Sequence, residues 1–184
     1  MKRYYMACLD LQGRSCVVVG GGRVGLEKAL GLLDVGARVT VVAPDVVPQI
    51  HELDVTWRPV RYAARHLQGA FLVVAATGVR PVDERVARDA ERASMLCNVA
   101  DVPELCSFIL PSIFRRDPIT VGVSTAGASP ALAKRLRDRI GELVEPRHAD
   151  LAVRLQALRP WAREHFATYD GRRDFFEQLV DAEL

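Results

Sequence analysis

The sequence predicts an α/β fold, with a parallel sheet in its N-terminal part and helices at its C-terminal end. Up to about residue 100, short runs rich in β-branched residues alternate with segments of helical periodicity, as they do in βαβ units. From Ser129 onward, apolar residues recur almost throughout at helical spacing. The 184 residues suffice for one domain with an appendage or for two small domains.

Five strands and two helices are expected in the N-terminal part. The runs that predict strands cover residues 15–20, 37–44, 54–60, 70–77 and 94–100. Helices are expected over 24–35, where Gly36 ends the pattern, and over 81–93. The apolar positions of the first helix are Leu26, Ala29, Leu30 and Leu33. Because each crossover is expected to be short and helical, the strands should run parallel.

Beyond Asp101 the pattern changes to two strands followed by helices. Residues 106–127 predict two strands around the turn RRDP, with no room for a crossover helix. Ser129 and Pro130 are typical of a helix start, and an apolar stripe follows at Leu132, Leu136, Ile140 and Leu143. Pro146 is expected to interrupt the helix, and two more helices are expected over 147–168 and 172–183. The predicted domains are 1–105, 106–145 and 146–184.

Composition places the chain among ordinary globular proteins. Its net charge of +2 gives no global attraction to nucleic acid, and its apolar runs are far shorter than the ~20 residues of a membrane span. The opening stretch lacks the apolar centre of a signal peptide, so we expect a cytoplasmic protein with no nucleic-acid or membrane partner. No resident metal site is expected, because the four histidines are scattered. The four cysteines form no C-x-x-C pair and should be buried or free thiols: Cys8, Cys16, Cys97 and Cys106.

A glycine-rich loop joins the first strand to the first helix. Gly20, Gly22 and Gly25 have the spacing G-x-G-x-x-G in the stretch SCVVVGGGRVGLEKAL, and this strand-to-helix context indicates a Rossmann-type dinucleotide loop. Gly20 should permit the tight turn, Gly22 should let the backbone approach a pyrophosphate, and Gly25 should let the helix pack on the strand. The N–H groups at the helix start would then bind the anion. The alternative is a Rossmann-like sheet with an unused loop.

The residue after the second strand predicts the cofactor. An acidic side chain about 20 positions beyond the loop is expected to bind the ribose hydroxyls of NAD, and Asp45 follows the run VTVVAP. No basic residue stands at this position to bind the 2′-phosphate of NADP. The sequence therefore favours NAD over NADP, but the spacing does not identify a substrate.

The chain closely resembles the precorrin-2 dehydrogenase/sirohydrochlorin ferrochelatase family, the N-terminal part of siroheme synthases. Four stretches carry the resemblance, in family order, over roughly residues 4–145: VVVGGGRVGLEKAL, VTVVAPD, LVVAATG and CNVADVPELCSFILPSIFRRDPITVGVSTAGASPALAKRLRDRI. The resemblance implies an NAD-binding Rossmann domain, a dimerisation region with swapped strands and helices, and a helical C-terminal domain. It also implies a homodimer that oxidises precorrin-2 to sirohydrochlorin with NAD⁺, followed in bifunctional members by insertion of Fe²⁺.

The resemblance assigns roles to individual residues. The family's catalytic aspartate, in the motif N-V-x-D after the fifth strand, falls on Asp101. A carboxylate there would point into the crevice where parallel sheets bind ligands, and would accept a proton as hydride leaves for the nicotinamide. The alternative is that Asp101 only caps a loop. The family's dinucleotide contacts carry over to Arg23, Val24, Pro44, Asp45 and Thr77.

The tetrapyrrole-facing segment of the family corresponds to STAGASPALAKRL. The substrate contacts implied there are Ser124, Thr125, Gly127 and Ser129. The basic run KRLRDR follows over 134–139, and precorrin-2 carries eight carboxylates that such residues would neutralise. Lys134 and Arg135 are the substrate-binding candidates in this run, and a solvated helix face is the alternative.

Two positions depart from the family pattern. Two questions about function stay open: whether the protein inserts iron, and whether it is an enzyme at all. Glu27 stands where the family often has a basic residue, and Gly78 follows Thr77 where an acidic or amide residue is usual. The chain is expected to lack the methyltransferase domain of fused siroheme synthases. Iron insertion stays open, because the macrocycle itself supplies nitrogen ligands. The alternative to an enzyme is an NAD(H)- or tetrapyrrole-binding carrier or regulator, although no helix-turn-helix pattern stands out.

Overall fold

A five-stranded parallel sheet forms the centre of the N-terminal part in the computed structural model, which describes residues 3–184. The sheet consists of β1 (Ser15–Val19), β2 (Arg38–Val42), β3 (Val55–Arg58), β4 (Leu72–Ala75) and β5 (Leu96–Val99). The strand order is β3-β2-β1-β4-β5 and every pair is parallel. The predicted α/β fold with a parallel sheet is therefore confirmed.

Two α-helices connect strands of this sheet, α1 (Arg23–Leu33) and α2 (Arg80–Arg92). The prediction of helical crossovers is wrong for the two connections between β2 and β4. Those connections contain only short 3₁₀ helices, Pro48–Glu52 and Ala64–Leu67. Prolines at 44, 48 and 59 interrupt both connections, and a proline inside a helix removes a backbone hydrogen bond.

The core lies on both faces of the sheet, because side chains alternate along each strand. Val17 and Val19 of β1 belong to a cluster that includes residues of α2, whereas Cys16 and Val18 belong to one that includes residues of α1. The buried positions of α1 are Gly25, Ala29 and Leu32. Leu30, one of the apolar positions of the sequence pattern, is 47% exposed, because the buried face of α1 follows positions i, i+4 and i+7 from Gly25.

The chain divides into two units, one up to Ile109 and the other from Leu110 to Leu184. The second unit begins with an antiparallel pair, β6 (Ser112–Arg116) and β7 (Ile119–Val123), as the sequence predicts. Three helices complete it: α3 (Pro130–Leu143), α4 (Pro146–His165) and α5 (Tyr169–Glu183). The finer division into a dimerisation region and a C-terminal domain stays a prediction.

The break between α3 and α4 occurs at Val144 and Glu145. Pro146 does not only interrupt the helical pattern: it is the first residue of α4. Proline is tolerated there because the N–H group of the first helical residue has no partner within the helix. The last helix starts at Tyr169, three residues earlier than predicted, because the Thr168 hydroxyl accepts a hydrogen bond from the Gly171 amide at 3.1 Å and caps it.

Candidate active site

The carboxyl ends of three neighbouring strands define the candidate site. Val19 of β1 pairs with Ala75 of β4, and Ala75 pairs with Val99 of β5. The segments that follow these strands therefore leave the sheet at one edge, and they carry the glycine loop, Thr77 and Asp101. From β1 the strand order continues to β2 and β3 on one side, and on the other side to β4 and β5. Open parallel sheets form a ligand-binding crevice at such a switch in strand order.

The glycines of the loop have the contacts that close packing requires. Gly20 has a φ of +121°, and a Cβ atom there would overlap the carbonyl oxygen of Ala76. A Cβ atom at Gly25 would overlap the carbonyl oxygen of Gly20, so this glycine lets α1 approach the loop. By contrast, a Cβ atom at Gly22 would meet nothing within 4 Å. The backbone at Gly22 therefore faces open space, where a ligand can approach it.

Gly21 also packs closely, although the fingerprint does not include it. A Cβ atom at Gly21 would overlap the carbonyl oxygen of Asp45 and crowd Val46. The Val47 amide also donates a hydrogen bond to the Gly21 carbonyl at 2.8 Å. The loop is thus fastened to the segment after β2. The only sequence signal for this contact is the unbroken run of glycines at 20–22.

The N-terminus of α1 is free to bind an anion. Gly22 is the N-cap residue, no side chain caps the helix, and its first turn contains no acidic residue. Arg23 and Val24 follow at the exposed start of the helix. Because the first N–H groups of a helix have no partner within it, an uncapped start attracts negative charge. The geometry fits a dinucleotide pyrophosphate at this position.

Pro44 and Asp45 form the exposed segment directly after β2. Through the contact between Gly21 and the Asp45 carbonyl, this segment lies against the glycine loop. A carboxylate at this position is placed as the dinucleotide fingerprint requires of a ribose-binding residue. The placement agrees with the predicted role of Asp45, which stays a prediction.

Thr77 follows β4 and is held by a residue that the sequence reasoning missed. Its hydroxyl donates to Oδ1 of Asp83 at 2.7 Å and accepts a hydrogen bond from the Val79 amide at 3.0 Å. Asp83, in the first turns of α2, is only 5% exposed, so this contact fixes the β4-to-α2 turn. Thr77 therefore has a structural role whether or not it contacts the cofactor. A carboxylate in an otherwise ordinary amphipathic helix gave no signal of this role.

Asp101 lies just beyond the end of β5 with an exposed side chain. Its φ is +60°, which is the left-handed region that residues other than glycine seldom adopt and that Asp and Asn tolerate best. The preceding amide, of Ala100, donates to the Ala75 carbonyl at 2.9 Å and extends the β4–β5 pairing to this point. The carboxylate is therefore presented at the edge where the glycine loop and Thr77 also lie.

In the second unit, the loop between β7 and α3 uses its hydroxyl groups to fix its own shape. The Ser129 hydroxyl accepts from the Leu132 amide at 3.2 Å and caps α3. The Thr125 hydroxyl accepts from the Ser129 amide at 3.0 Å and donates to the Ser129 carbonyl at 3.1 Å. Ser124 accepts from the Ala126 amide at 3.1 Å, and Gly127 has a φ of +87°. These residues are thus placed together at the start of a helix.

The basic run of α3 is exposed and only partly neutralised. Arg137 pairs with its neighbour Asp138. Within residues 3–184, Lys134, Arg135 and Arg139 form no ion pair. Lys134 and Arg135 therefore remain available to negatively charged groups outside this chain.

The four cysteines are thiols outside any disulfide, and three of them are buried. Burial raises the pKa of Cys16 from 9.0 to about 11. Burial, followed by the neighbouring Cys106 and Asp83, raises that of Cys97 from 9.0 to about 12. At neutral pH these two thiols are protonated, which makes them part of the core rather than nucleophiles.

The described part of the chain contains neither a cluster of metal ligands nor a membrane-spanning helix. Among residues 3–184, no three His, Cys, Asp or Glu side chains are grouped so that they could hold a metal ion. None of the helices there combines the length and the apolar character that crossing a bilayer requires.

The fold and the loop geometry define a dinucleotide-binding α/β protein. A family model described as putative NAD(P)-binding matches residues 7–112, and one described as sirohaem biosynthesis protein central matches residues 116–143. The chain therefore belongs to this NAD(P)-binding family, and the two matches confirm its resemblance to the precorrin-2 dehydrogenase/sirohydrochlorin ferrochelatase family.

Individual relatives agree with this assignment. The siroheme synthase of Nitrosomonas eutropha is 38% identical over 182 residues, which are 96% of this chain and 38% of that protein. The siroheme synthase of Methylobacillus flagellatus is 39% identical over 176 residues, covering 93% and 38% respectively. Among solved structures, SirC, a precorrin-2 dehydrogenase, is similar with a TM-score of 0.79 and 26% identity, over 96% of this chain and 89% of that one. The chain spans about 38% of the length of the curated relatives that it matches.

Proposed function

We propose that this protein oxidises precorrin-2 to sirohydrochlorin with NAD⁺ in siroheme biosynthesis, in the cytoplasm. One observation carries the proposal: an uncapped, glycine-lined helix start follows β1 and the carboxylate of Asp101 follows β5, at the same edge of a parallel sheet and on either side of β4. A dinucleotide site and a base are the two parts that such an oxidation needs. The similarity to a precorrin-2 dehydrogenase over 89% of its length supports the same reaction.

Asp101 is the proposed base. NAD⁺ supplies a hydride acceptor when it is bound. Loss of hydride leaves positive charge on the macrocycle, and loss of a proton relieves it. The Asp101 carboxylate would stabilise that charge and accept or relay the proton, and assistance of this kind is worth roughly 10²–10⁴-fold in rate.

The second unit is proposed to bind the carboxylates of the tetrapyrrole. Lys134 and Arg135 have no acidic partner within the described residues, and charge-assisted hydrogen bonds to carboxylates are the contacts they would make. The loop of Ser124, Thr125, Gly127 and Ser129 would present the start of α3 to the same substrate. Because its hydroxyls already bond within the loop, their contribution would be chiefly the shape of the loop.

NAD⁺ rather than NADP⁺ is the proposed cofactor. Asp45 lies beside the glycine loop, where a 2′-phosphate would meet a like charge. Calorimetric titration with each dinucleotide tests this choice. We expect NAD⁺ to bind more tightly, and equal or tighter binding of NADP⁺ would contradict it.

The proposed active form is a homodimer. The stripe Leu132, Leu136, Ile140 and Leu143 of α3 is between 37% and 72% exposed in the single chain. The buried residues of α3 are Ala133 and Gly141, and Gly141 lies against the Phe114 ring of the hairpin. A helix that exposes a continuous apolar stripe needs a partner surface, and a second copy would supply it in a symmetric dimer.

Insertion of Fe²⁺ into sirohydrochlorin is a second proposed activity. The relatives are named siroheme synthases, and siroheme contains iron. Iron would be a substrate in this reaction, bound by the nitrogens of the macrocycle, with Asp101 accepting the pyrrole protons. Formation of siroheme from sirohydrochlorin and Fe²⁺ by the purified chain, above the rate without protein, tests this activity separately.

An absorbance assay distinguishes an enzyme from a carrier or regulator. Precorrin-2 and NAD⁺ are mixed with a small amount of protein, and the spectra of the tetrapyrrole and NADH are followed. We expect sirohydrochlorin in large excess over the protein. A spectral change that stops at one equivalent per chain would favour a tetrapyrrole-binding carrier and overturn the enzymatic proposal.

A further inference from the structure

A polar cavity lies against the N-terminal sheet and has its own set of wall residues. Its volume is about 500 Å³, which lies within the ~300–1,000 Å³ that small-molecule sites occupy. β1 contributes Ser15 and Val17 to the wall, and β2 contributes Thr40 and Val42. The opposite wall comes from residues 58–70, where a 3₁₀ helix replaces the α-helix of an ordinary crossover. The cavity exists because this short connection does not fill the space over β1 and β2.

Two arginines give the cavity its charge. Arg58 and Arg65 both line it. Within residues 3–184, neither guanidinium forms an ion pair or a side-chain hydrogen bond. Guanidinium groups bind carboxylates and phosphates through paired hydrogen bonds. Two such groups in one cavity, with no acidic residue in its wall, favour a ligand that brings the negative charge.

His66 adds a directed donor to the same wall. Its Nδ1 atom accepts a hydrogen bond from the Ala63 amide at 3.1 Å. In the neutral ring the proton is therefore on Nε2, which leaves that N–H free to donate. Burial, and then the positive charges of Arg65 and Arg58, lower the pKa of His66, which favours the neutral ring.

The lining of the cavity differs from that of the proposed cofactor crevice. None of the predicted cofactor-binding residues lines it. Ser15, Val17 and Thr40 come before the carboxyl ends of their strands, whereas the dinucleotide crevice begins at Gly20, beyond β1. Val42 is the last residue of β2, and its carbonyl accepts a hydrogen bond from the Gly20 amide at 3.0 Å. A ligand held by Arg65 and His66 would therefore contact residues other than those predicted to bind the dinucleotide.

We propose that this cavity binds a small anionic metabolite, whose phosphate or carboxylate groups pair with Arg58 and Arg65 while His66 and Gln68 donate further hydrogen bonds. The site does not depend on the proposed dehydrogenase reaction. The cavity volume of about 500 Å³ fits a ligand the size of a short-chain polycarboxylate or a small phosphate ester.

Calorimetry with two probes tests the site. The full chain is titrated with pyrophosphate and with citrate in a buffer free of phosphate, with NAD⁺ at saturation so that the crevice is filled. We expect at least one probe to bind at one site per chain with a Kd of about 1 mM or tighter. Binding of pyrophosphate alone would assign a phosphate ligand, and binding of citrate alone would assign a polycarboxylate. Failure of both probes to bind would overturn the proposal.

Matched variants locate the binding. We expect Arg58→Gln/Arg65→Gln to weaken binding of the probe by at least about 10-fold, since each removes a charge-assisted contact. Arg61→Gln is the control, because Arg61 is an exposed arginine of the same segment that does not line the cavity. Equal binding by the double variant, or equal loss in the control, would overturn the proposal. If the double variant unfolds, the imidazole NMR signals of His66 in the unmodified chain must shift on titration, and unchanged signals would overturn it.

Discussion

Asp101 combines an exposed carboxylate with a backbone conformation that few side chains tolerate. Its φ of +60° directs the chain sharply away from β5, and conformations of this type are often found at functional sites. Asn accepts the same region about as well as Asp. Asp101→Asn therefore removes the charge without adding backbone strain, which makes it the appropriate variant for testing the role of the carboxylate.

Gly22 and Gly31 provide a matched pair for the dinucleotide site. Both belong to the α1 region, and a Cβ atom would meet nothing within 4 Å at either position. We expect Gly22→Ala to fold normally but to bind NAD⁺ at least about 10-fold more weakly, because the methyl group would occupy the space of the pyrophosphate.

Gly31→Ala should bind NAD⁺ as the unmodified chain does. It should also be more stable by about 0.5–1 kcal/mol, since alanine favours a helix interior over glycine. Calorimetry and thermal unfolding measure both effects. Equal NAD⁺ affinities for the two variants would contradict a cofactor at the start of α1.

The two buried thiols, Cys16 and Cys97, should make the folded protein less stable at alkaline pH. In the unfolded chain, cysteines lose their protons near pH 9, whereas Cys16 and Cys97 keep theirs in the folded state to about pH 11 and pH 12. Between pH 9 and 11 the unfolded state thus binds fewer protons, so the free energy of unfolding should fall as the pH rises.

Urea unfolding at pH 7, 9 and 10.5 measures this fall. In the double variant Cys16→Ala/Cys97→Ala, the free energy of unfolding should fall less steeply with pH than in the unmodified chain. A weaker slope should remain, because burial and the hydrogen bond with Asp89 also raise the pKa of Tyr62. Cys8→Ala is the control, since Cys8 is exposed, and the account would fail if its slope changed more than that of the double variant.

At the scale of elements, the apolar stripe of α3 is a surface that a partner should cover. We expect Leu136→Glu to convert a dimer into a monomer, because a charge in an apolar interface is costly to desolvate. Leu30→Glu is the control, since Leu30 is similarly exposed but lies on α1. Sedimentation at micromolar concentration measures both, and a monomeric unmodified chain would contradict the proposed dimer.

The elements also show what periodicity can and cannot predict. β1 and α1 follow from an apolar run and a glycine loop, and all five strands of the sheet are where the sequence placed them, although shorter. The stripe from Leu132 to Leu143 reads as a core face, yet it is exposed in the single chain. Periodicity reports that a face is apolar, but it does not say whether the same chain or another copy covers it.

The site could be predicted only as far as local motifs reach. Gly20, Gly22 and Gly25 have the contacts that their spacing implies. The contact of Thr77 with Asp83 depends on how the β4-to-α2 turn closes, and the contact of Gly21 with Asp45 depends on the pairing of β1 with β2. Such contacts follow from tertiary packing and have no local sequence pattern. The cavity near Arg58 and Arg65 likewise results from a connection that contains a short 3₁₀ helix instead of an α-helix.

At the scale of the whole molecule, the proposed oxidation requires the dinucleotide site and Asp101 to act together. The most direct measurement is the steady-state rate of NADH formation from precorrin-2 and NAD⁺, compared between the unmodified chain and Asp101→Asn at equal NAD⁺ occupancy. We expect many turnovers for the unmodified chain and a rate at least ~10²-fold lower for the variant, with folding, dimerisation and NAD⁺ binding unchanged. A variant that binds NAD⁺ normally and oxidises precorrin-2 at a near-normal rate would contradict it, because Asp101 would then be only a loop residue.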